Sequence, residues 1–367
     1  MTTPRAVLAG SGIALPPRVV DNHVLARVIE TTDEWIRERS GIVTRRWVEE
    51  GTGTADLGAE AARAALADAG VEPGEVDYVV CATMTPDHYF PGSGTLIQER
   101  LGLPPRPALD IRQQCAGFAY GLQVVDALIR GGTAKTVLLV GADVHTALYP
   151  FNERTWDVLE GRDPRPLDAE EIAANSRWRH LIVLFGDAAG AMVFRDSRPG
   201  EDGPGGGLDK DRRGILATAL YGDGNEKEIL YVPGVGSSRR PWVTPAMIEA
   251  GESVPVMDGR KVFRLAVTRM PEATHEVLAR CGHTIEDLDL LVMHQANLRI
   301  NEAAQRALGL PDDKVFNNID RYGNTTSATL PLAFHEARAA GKAPEGSLVA
   351  FAALGAGLHW GAVLMRV

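Results

Sequence analysis

Pro73-Gly74-Glu75-Val76-Asp77-Tyr78-Val79-Val80-Cys81-Ala82 and Thr284-Ile285-Glu286-Asp287-Leu288-Asp289-Leu290-Leu291-Val292-Met293-His294 follow one pattern. Each comes after a helix-like stretch, residues 56–69 in the first case and 271–280 in the second. Each then runs through a short turn into an apolar strand that ends at polar residues. The likeness continues downstream, where Gln98-Glu99-Arg100-Leu101-Gly102-Leu103-Pro104 resembles Gln305-Arg306-Ala307-Leu308-Gly309-Leu310-Pro311. The first half next offers a strand into Cys115, a helix to Gly131 and a strand over 136–141. The second offers a strand over 315–319, a loop at Asn324, a helix to Gly341 and a strand over 347–353. Self-similarity of this kind marks one unit used twice. Continuous apolar strands imply sheets covered on both faces by helices.

The predicted fold is therefore α/β, with two pseudo-equivalent halves in a layered α/β/α/β/α core. Residues 1–195 form the half that carries Cys115, with an insertion at 146–180, and residues 214–367 form the half that carries His294 and Asn324. The repeat puts Cys115 and Asn324 at similar positions, and a pseudo-twofold arrangement would bring both to one site with His294. Residues 196–213, with Gly203-Pro204-Gly205-Gly206-Gly207, read as a surface connector. Residues 233–258 lack clean periodicity.

The bulk numbers narrow the function class. The chain has 367 residues, 45% hydrophobic and 23% charged, which excludes wholesale disorder and a coiled coil. A net charge of −10 argues against a nucleic-acid partner. No apolar run reaches the ~18 residues of a membrane span. The first residues read as a strand rather than a secretory leader. Three cysteines without paired spacing suit a reducing cytoplasm.

Cys115 sits in Asp110-Ile111-Arg112-Gln113-Gln114-Cys115-Ala116-Gly117-Phe118-Ala119, at a strand end and a helix start. A helix N-terminus favours the thiolate, and the thiolate is the nucleophile of acyl transfer. His294 lies at the carboxyl end of a strand, where α/β sites form. Cys81 and Cys281 carry no such context and read as packing residues. His275, Cys281 and His283 do not have the spacing of a metal site, so none is expected. Gly10-Ser11-Gly12 is a poor dinucleotide fingerprint, because Pro16-Pro17 follows where the phosphate-binding helix should begin.

Taken in order, Thr32-Asp33-Glu34-Trp35-Ile36, Cys115-Ala116-Gly117-Phe118, Phe185-Gly186-Asp187-Ala188-Ala189-Gly190-Ala191, His294-Gln295-Ala296-Asn297-Leu298-Arg299 and Gly323-Asn324-Thr325-Thr326-Ser327 resemble the β-ketoacyl-acyl-carrier-protein synthase III family, condensing enzymes of the thiolase fold. The resemblance covers nearly the whole chain. It implies an acyltransferase in which Cys115 takes an acyl group from acyl-CoA, while His294 and Asn324 hold the malonyl thioester carbonyl during decarboxylation. Backbone N–H groups of Cys115 and Ala356 would form a second oxyanion pocket.

By the same resemblance Trp35, Arg39 and Arg179 would bind CoA, with the adenine stacked between the indole and the Arg179 guanidinium. Phe90 would reach across a homodimer into the partner's acyl pocket, and Arg264, Arg299 and Arg306 would dock acyl carrier protein. Acyl-CoA and malonyl-acyl-carrier protein are substrates, so no resident cofactor is implied. Leu354-Gly355-Ala356-Gly357-Leu358 departs from the family's Gly-rich stretch, and the 146–180 insertion is unusually long. The insertion is expected at the CoA and acyl entrance, with Tyr149, Phe151, Trp156 and Trp178 as apolar cover. Two alternatives stay open: a variant synthase or acyltransferase of polyketide-type metabolism, and a non-catalytic subunit that binds acyl carrier protein.

Overall fold

The computed structural model describes residues 4–197 and 212–367. Most of the predicted connector, including Gly203–Gly207, lies outside them. The first five-stranded sheet contains β1 (Ala6–Ala14), β2 (Tyr78–Ala82), β3 (Ala108–Ile111), β4 (Thr136–Asp143) and β5 (Ala188–Asp196), in the order β1-β5-β4-β2-β3. The second, also five-stranded, contains β6 (Gly214–Gly222), β7 (Leu290–Met293), β8 (Val315–Phe316), β9 (Leu348–Gly355) and β10 (His359–Arg366), in the order β6-β10-β9-β7-β8. The two orders correspond strand for strand. The directions correspond as well, since β2 runs parallel to β3 and β4, as β7 does to β8 and β9, and the remaining pairs are antiparallel.

Every residue of β4 and of β9 is buried, the pattern of strands covered on both faces. The middle layer is built by α3 (Gly117–Arg130) and α6 (Thr329–Ala339). Phe118, Leu122, Leu330 and Phe334 from these helices share one core with Val137 and Leu139 of the first sheet and Val349 and Phe351 of the second. The outer face of the first sheet packs on α2 (Thr54–Ala69), whose alanines allow close approach. A Cβ on Gly10 or Gly12 of β1 would lie 2.4 or 2.3 Å from the backbone of α2, so the Gly-Ser-Gly run serves helix packing.

The outer face of the second sheet packs on α4 (Gly259–Arg280) and α5 (Leu298–Leu308). Helix α4 corrects one expectation. Pro271 sits inside it rather than at its start, and the helix begins at Asp258, whose carboxylate caps the Lys261 N–H at 3.0 Å.

The 146–180 insertion folds as short helices, Glu153–Glu160, Ala169–Ser176 and Arg179–Ile182, against the antiparallel strand pair Arg18–Asp21/Thr44–Trp47 and α1 (Asp33–Ser40). Trp47 is the hub, with the Tyr149 and Trp156 rings edge-on to it at 5.6 and 5.7 Å. Trp178 fills the space over Gly251, where a Cβ would come within 2.0 Å of the indole.

Candidate active site

Strand β3 ends at Ile111, and the chain turns sharply before α3. Gln114 takes a φ of 45°, inside the left-handed region that non-glycine residues rarely adopt. That bend begins the 3-10 turn Gln114–Ala116 and seats Cys115 at the head of α3. The turn rests on the end of β9. A Cβ on Gly355 would lie 2.8 Å from the Ala116 nitrogen and 3.0 Å from the Cys115 nitrogen, so only glycine lets the two backbones meet.

Cys115, His294, Asn324 and Ala356 line one cavity of about 530 Å³, walled by apolar side chains including Met84, Leu184, Phe185, Val262, Phe263 and Ile300. His294 follows β7, where its N–H donates to Ala352 O at 2.8 Å. Its ring is buried. Nδ1 bonds Thr329 Oγ1 at 2.7 Å, while Nε2 is buried with no partner among the described residues. Burial, reinforced by nearby His145, drives its pKa down to about 3, so the ring is neutral at physiological pH.

Asn324 is held on three sides. Its N–H donates to Leu184 O at 2.8 Å, its carbonyl accepts from the Gly186 N–H at 3.1 Å, and its side-chain Oδ1 accepts from the Thr326 N–H at 2.9 Å. The last bond fixes the carboxamide orientation and leaves Nδ2 as the free donor.

Cys115 behaves differently from the expectation drawn from its helix start. Burial pushes the thiol up to about 12, with the nearby Asp143 charge acting in the same sense and the residue's own N–H opposing both. Desolvation outweighs the helix terminus here. The repeat register differs too. The turn Gln114–Ala116 before α3 matches Thr326–Ala328 before α6, where Thr326 takes a φ of 50°. Ser327, not Asn324, therefore stands at the position equivalent to Cys115.

Several supports were given no role in the sequence reading, although Asp187 lies in one of the strings that carry the resemblance. Asp143, at the end of β4, accepts from Thr83, Met84 and Thr85 through one oxygen, and from the Ser327 N–H at 2.8 Å through the other, tying the halves together. Asp187 accepts from the backbone N–H groups of Val48, His145 and Thr146 and from the Thr146 hydroxyl. Buried Arg45 donates to Val183 O at 2.9 Å, just before the residues that pair with Asn324. Thr329, the partner of His294, also went unread.

The remaining expected residues lie around this centre. Trp35 is on α1, and the guanidinium carbons of Arg39 and Arg179 each lie 4.7 Å from its ring centroid. Phe90 is 79% exposed, beside Tyr89, which is 62% exposed. Arg264 and Arg299 are exposed on α4 and α5, adjacent in sequence to Phe263 and Ile300 of the cavity wall, and Arg306 is exposed further along α5. Arg112 and Lys227 also line the cavity, which the sequence reading did not pick out. Leu181, one residue past the insertion, borders it as well. None of Tyr149, Phe151, Trp156 and Trp178 does so; they pack in the cluster around Trp47, and Tyr149 and Trp156 also line a separate cavity of about 450 Å³. Among the described residues no group of three or more His, Cys, Asp or Glu side chains could hold a metal ion. No helix among them is long and apolar enough to cross a membrane.

Two sheets of matched topology, with a thiol, a neutral imidazole and a carboxamide in one cavity at their junction, define an acyltransferase of the thiolase fold. Known proteins agree. Residues 109–161 match the family described as 3-oxoacyl-[acyl-carrier-protein] synthase III, and residues 278–367 match its C-terminal counterpart. The beta-ketoacyl-[acyl-carrier-protein] synthase III of Cereibacter sphaeroides strain ATCC 17025 is 41% identical over 364 residues, 99% of each chain. That of Rhodospirillum rubrum is 42% identical over 364 residues, again 99% of each chain. The crystal structure of 3-oxoacyl-[acyl-carrier-protein] synthase III from Aquifex aeolicus VF5 superposes with a TM-score of 0.80 at 35% identity, over 99% of this chain and 100% of that one. The chain belongs to the β-ketoacyl-acyl-carrier-protein synthase III family.

Proposed function

We propose that the protein condenses an acyl-CoA primer with malonyl-acyl-carrier protein to give a 3-oxoacyl-acyl-carrier protein, the initiating step of fatty-acid synthesis. The observation that carries this reading is the convergence of Cys115, the unpartnered His294 Nε2 and the Asn324 carboxamide on one cavity. The Cys115 sulfur attacks the primer's thioester carbonyl, CoA thiolate leaves, and the thiol proton balances the departing CoA. Backbone N–H groups of Cys115 and Ala356 hold the passing oxyanion.

Malonyl-acyl-carrier protein then loses carbon dioxide, and the electrons left behind collect on its thioester oxygen. Two neutral donors, His294 Nε2–H and Asn324 Nδ2–H, stabilise that charge without competing for a proton. The nascent carbanion attacks the acyl-Cys115 carbonyl, and the Cys115 thiolate leaves. A buried neutral imidazole suits this role better than an imidazolium, which would protonate the carbanion.

The outer residues support the rest of the reading. Trp35, Arg39 and Arg179 offer an indole and two guanidiniums to the CoA adenine, and a base on the Arg179 face would part that cation from the ring. Arg264, Arg299 and Arg306 present positive charge beside the cavity, where an acidic carrier protein would dock. Exposed Phe90 and the unpaired edge of β3 favour a homodimer in which Phe90 enters the partner's pocket. Free cysteines favour the cytoplasm. Residues 1–195 and 214–367 are the two functional halves. A polyketide-type variant and a non-catalytic subunit are not favoured, since relatives sharing the whole length carry the name of the condensing enzyme.

Incubation with a panel of acyl-CoAs and malonyl-acyl-carrier protein should yield carbon dioxide and 3-oxoacyl-acyl-carrier protein in equal amounts. Acylated enzyme without either product would point to a transferase that does not condense.

A further inference from the structure

We propose that His145 is a positioning residue for the condensation: it holds the Thr326 hydroxyl and, through that threonine, aims the Asn324 carboxamide at the oxyanion. The inference rests on the role given above to Asn324. A carboxamide donates only through its nitrogen, so Asn324 serves the oxyanion only while Oδ1 is engaged elsewhere and the amide plane is held.

What engages Oδ1 is the Thr326 N–H at 2.9 Å. That bond spans two residues, and Thr326 makes it with a φ of 50°. Left-handed backbone is costly for a β-branched residue and persists only where the surroundings enforce it. Bonds inside the turn move with it and set no outside reference; Thr326 O, for one, bonds the Thr329 hydroxyl at 2.9 Å, three residues on. The outside reference is His145, which stands two residues past β4 and 181 residues from Thr326, and whose Nε2 bonds the Thr326 hydroxyl. Both residues are buried, Thr326 completely.

His145 is itself fixed from three directions. Its backbone N–H donates to Asp187 Oδ1 at 2.6 Å. Its ring lies flat on Phe185, with centroids 4.5 Å apart and planes 7° from parallel. Its Nδ1 lies 3.1 Å from Gly186 O, and because a carbonyl only accepts, Nδ1 is the donor. Phe185 and Gly186 belong to the segment on which the Asn324 backbone rests, through Leu184 O and the Gly186 N–H. One imidazole thus grips both supports of Asn324, residues 185–186 on one side and Thr326 on the other. His145 is not among the residues lining the Cys115 cavity, so it acts through these contacts alone. An apolar side chain in its place would fill the space and leave the Thr326 hydroxyl buried without a partner.

Single-turnover assays of the full-length enzyme test this with His145→Leu and Thr326→Val, each of which removes the bond from one side. Both should slow malonyl-acyl-carrier-protein decarboxylation about 10- to 100-fold, since misplacing a catalytic group by an ångström costs about 10²-fold. Acylation of Cys115 should stay near the wild-type rate and serves as the control for folding. Thr326→Ser, which restores the hydroxyl, should recover most of the decarboxylation rate. In an Asn324→Ala background His145→Leu should slow decarboxylation no further, because a residue that acts through Asn324 has nothing left to position. Decarboxylation at the wild-type rate in either variant that still acylates would overturn the inference. So would a further tenfold loss in the Asn324→Ala background, or loss of acylation in both variants, which would make the pair a support of the fold. If one variant alone loses acylation, the other decides. A wild type that acylates but never decarboxylates malonyl-acyl-carrier protein would instead reject the functional reading.

Discussion

The turn that carries Cys115 and the turn that follows Asn324 share a backbone and differ in chemistry. Both bend through a non-glycine residue with positive φ, Gln114 at 45° and Thr326 at 50°, and both lead through a 3-10 turn into a helix of the middle layer. Cys115 presents sulfur to the cavity. Ser327, at the matching place, spends its hydroxyl on Gln114 O at 3.3 Å and its N–H on Asp143. In the proposed mechanism the second half supplies its chemistry from Asn324, three residues earlier. A duplicated fold thus fixes where a site forms, while the roles of equivalent residues diverge.

The sharpest way to break this comparison is to exchange reactivity for inertness at each turn. Cys115→Ala and Cys115→Ser should form no acyl-enzyme from any acyl-CoA, judged by intact mass, since neither retains a thiol. An adduct in either would move the nucleophile elsewhere. The next effect concerns ionisation. With its pKa pushed up to about 12, the Cys115 thiol gains thiolate as pH rises through the neutral range. Alkylation of the free enzyme by iodoacetamide should therefore accelerate by about tenfold per unit between pH 7 and 9. A plateau below pH 8 would mean that the helix start prevails over burial.

Gly355→Ala probes the contact that seats the first turn. Its Cβ would meet three backbone atoms at 2.8 to 3.0 Å, none able to move cheaply. Thermal or urea unfolding should report a loss of about 1–3 kcal/mol, as overpacking usually costs, together with slower acylation. Unchanged stability would show that β9 yields. The smallest effect belongs to Ser327→Ala. One long hydrogen bond is lost, so stability should fall by no more than ~1 kcal/mol and acylation should stay near the wild-type rate. A large loss of acylation would make the second turn a chemical partner of the first.

Much of this was legible in the sequence. The apolar strands and the duplicated helix-turn-strand units announced two covered sheets, because burial on both faces leaves a continuous apolar run. Cys115, His294 and Asn324 were legible because each sits at a strand end or helix start in a distinctive string. Register was harder. Asn324 and Cys115 looked equivalent because both precede a helix, and only the positive-φ bends at Gln114 and Thr326 show the offset. The start of α4 was misread because Pro271 has the look of a first-turn proline while the true cap is Asp258. The insertion's aromatics pack around Trp47 away from the Cys115 cavity, and Tyr149 and Trp156 border a different one; hydrophobicity alone does not say which cavity a ring will line. Thr329, Asp143 and Arg45 act through contacts distant in sequence, which no local pattern encodes.

The central claim divides labour between the halves: Cys115 holds the acyl group, and His294 with Asn324 activates the malonyl partner. The most direct test loads wild type, His294→Ala and Asn324→Ala with one acyl group, adds malonyl-acyl-carrier protein, and follows intact mass with time. All three should take up the acyl group. Wild type should discharge it as 3-oxoacyl-acyl-carrier protein, and each variant should do so about 10²–10³ times more slowly, the cost of one oxyanion donor. Discharge at the wild-type rate from either variant would contradict the account.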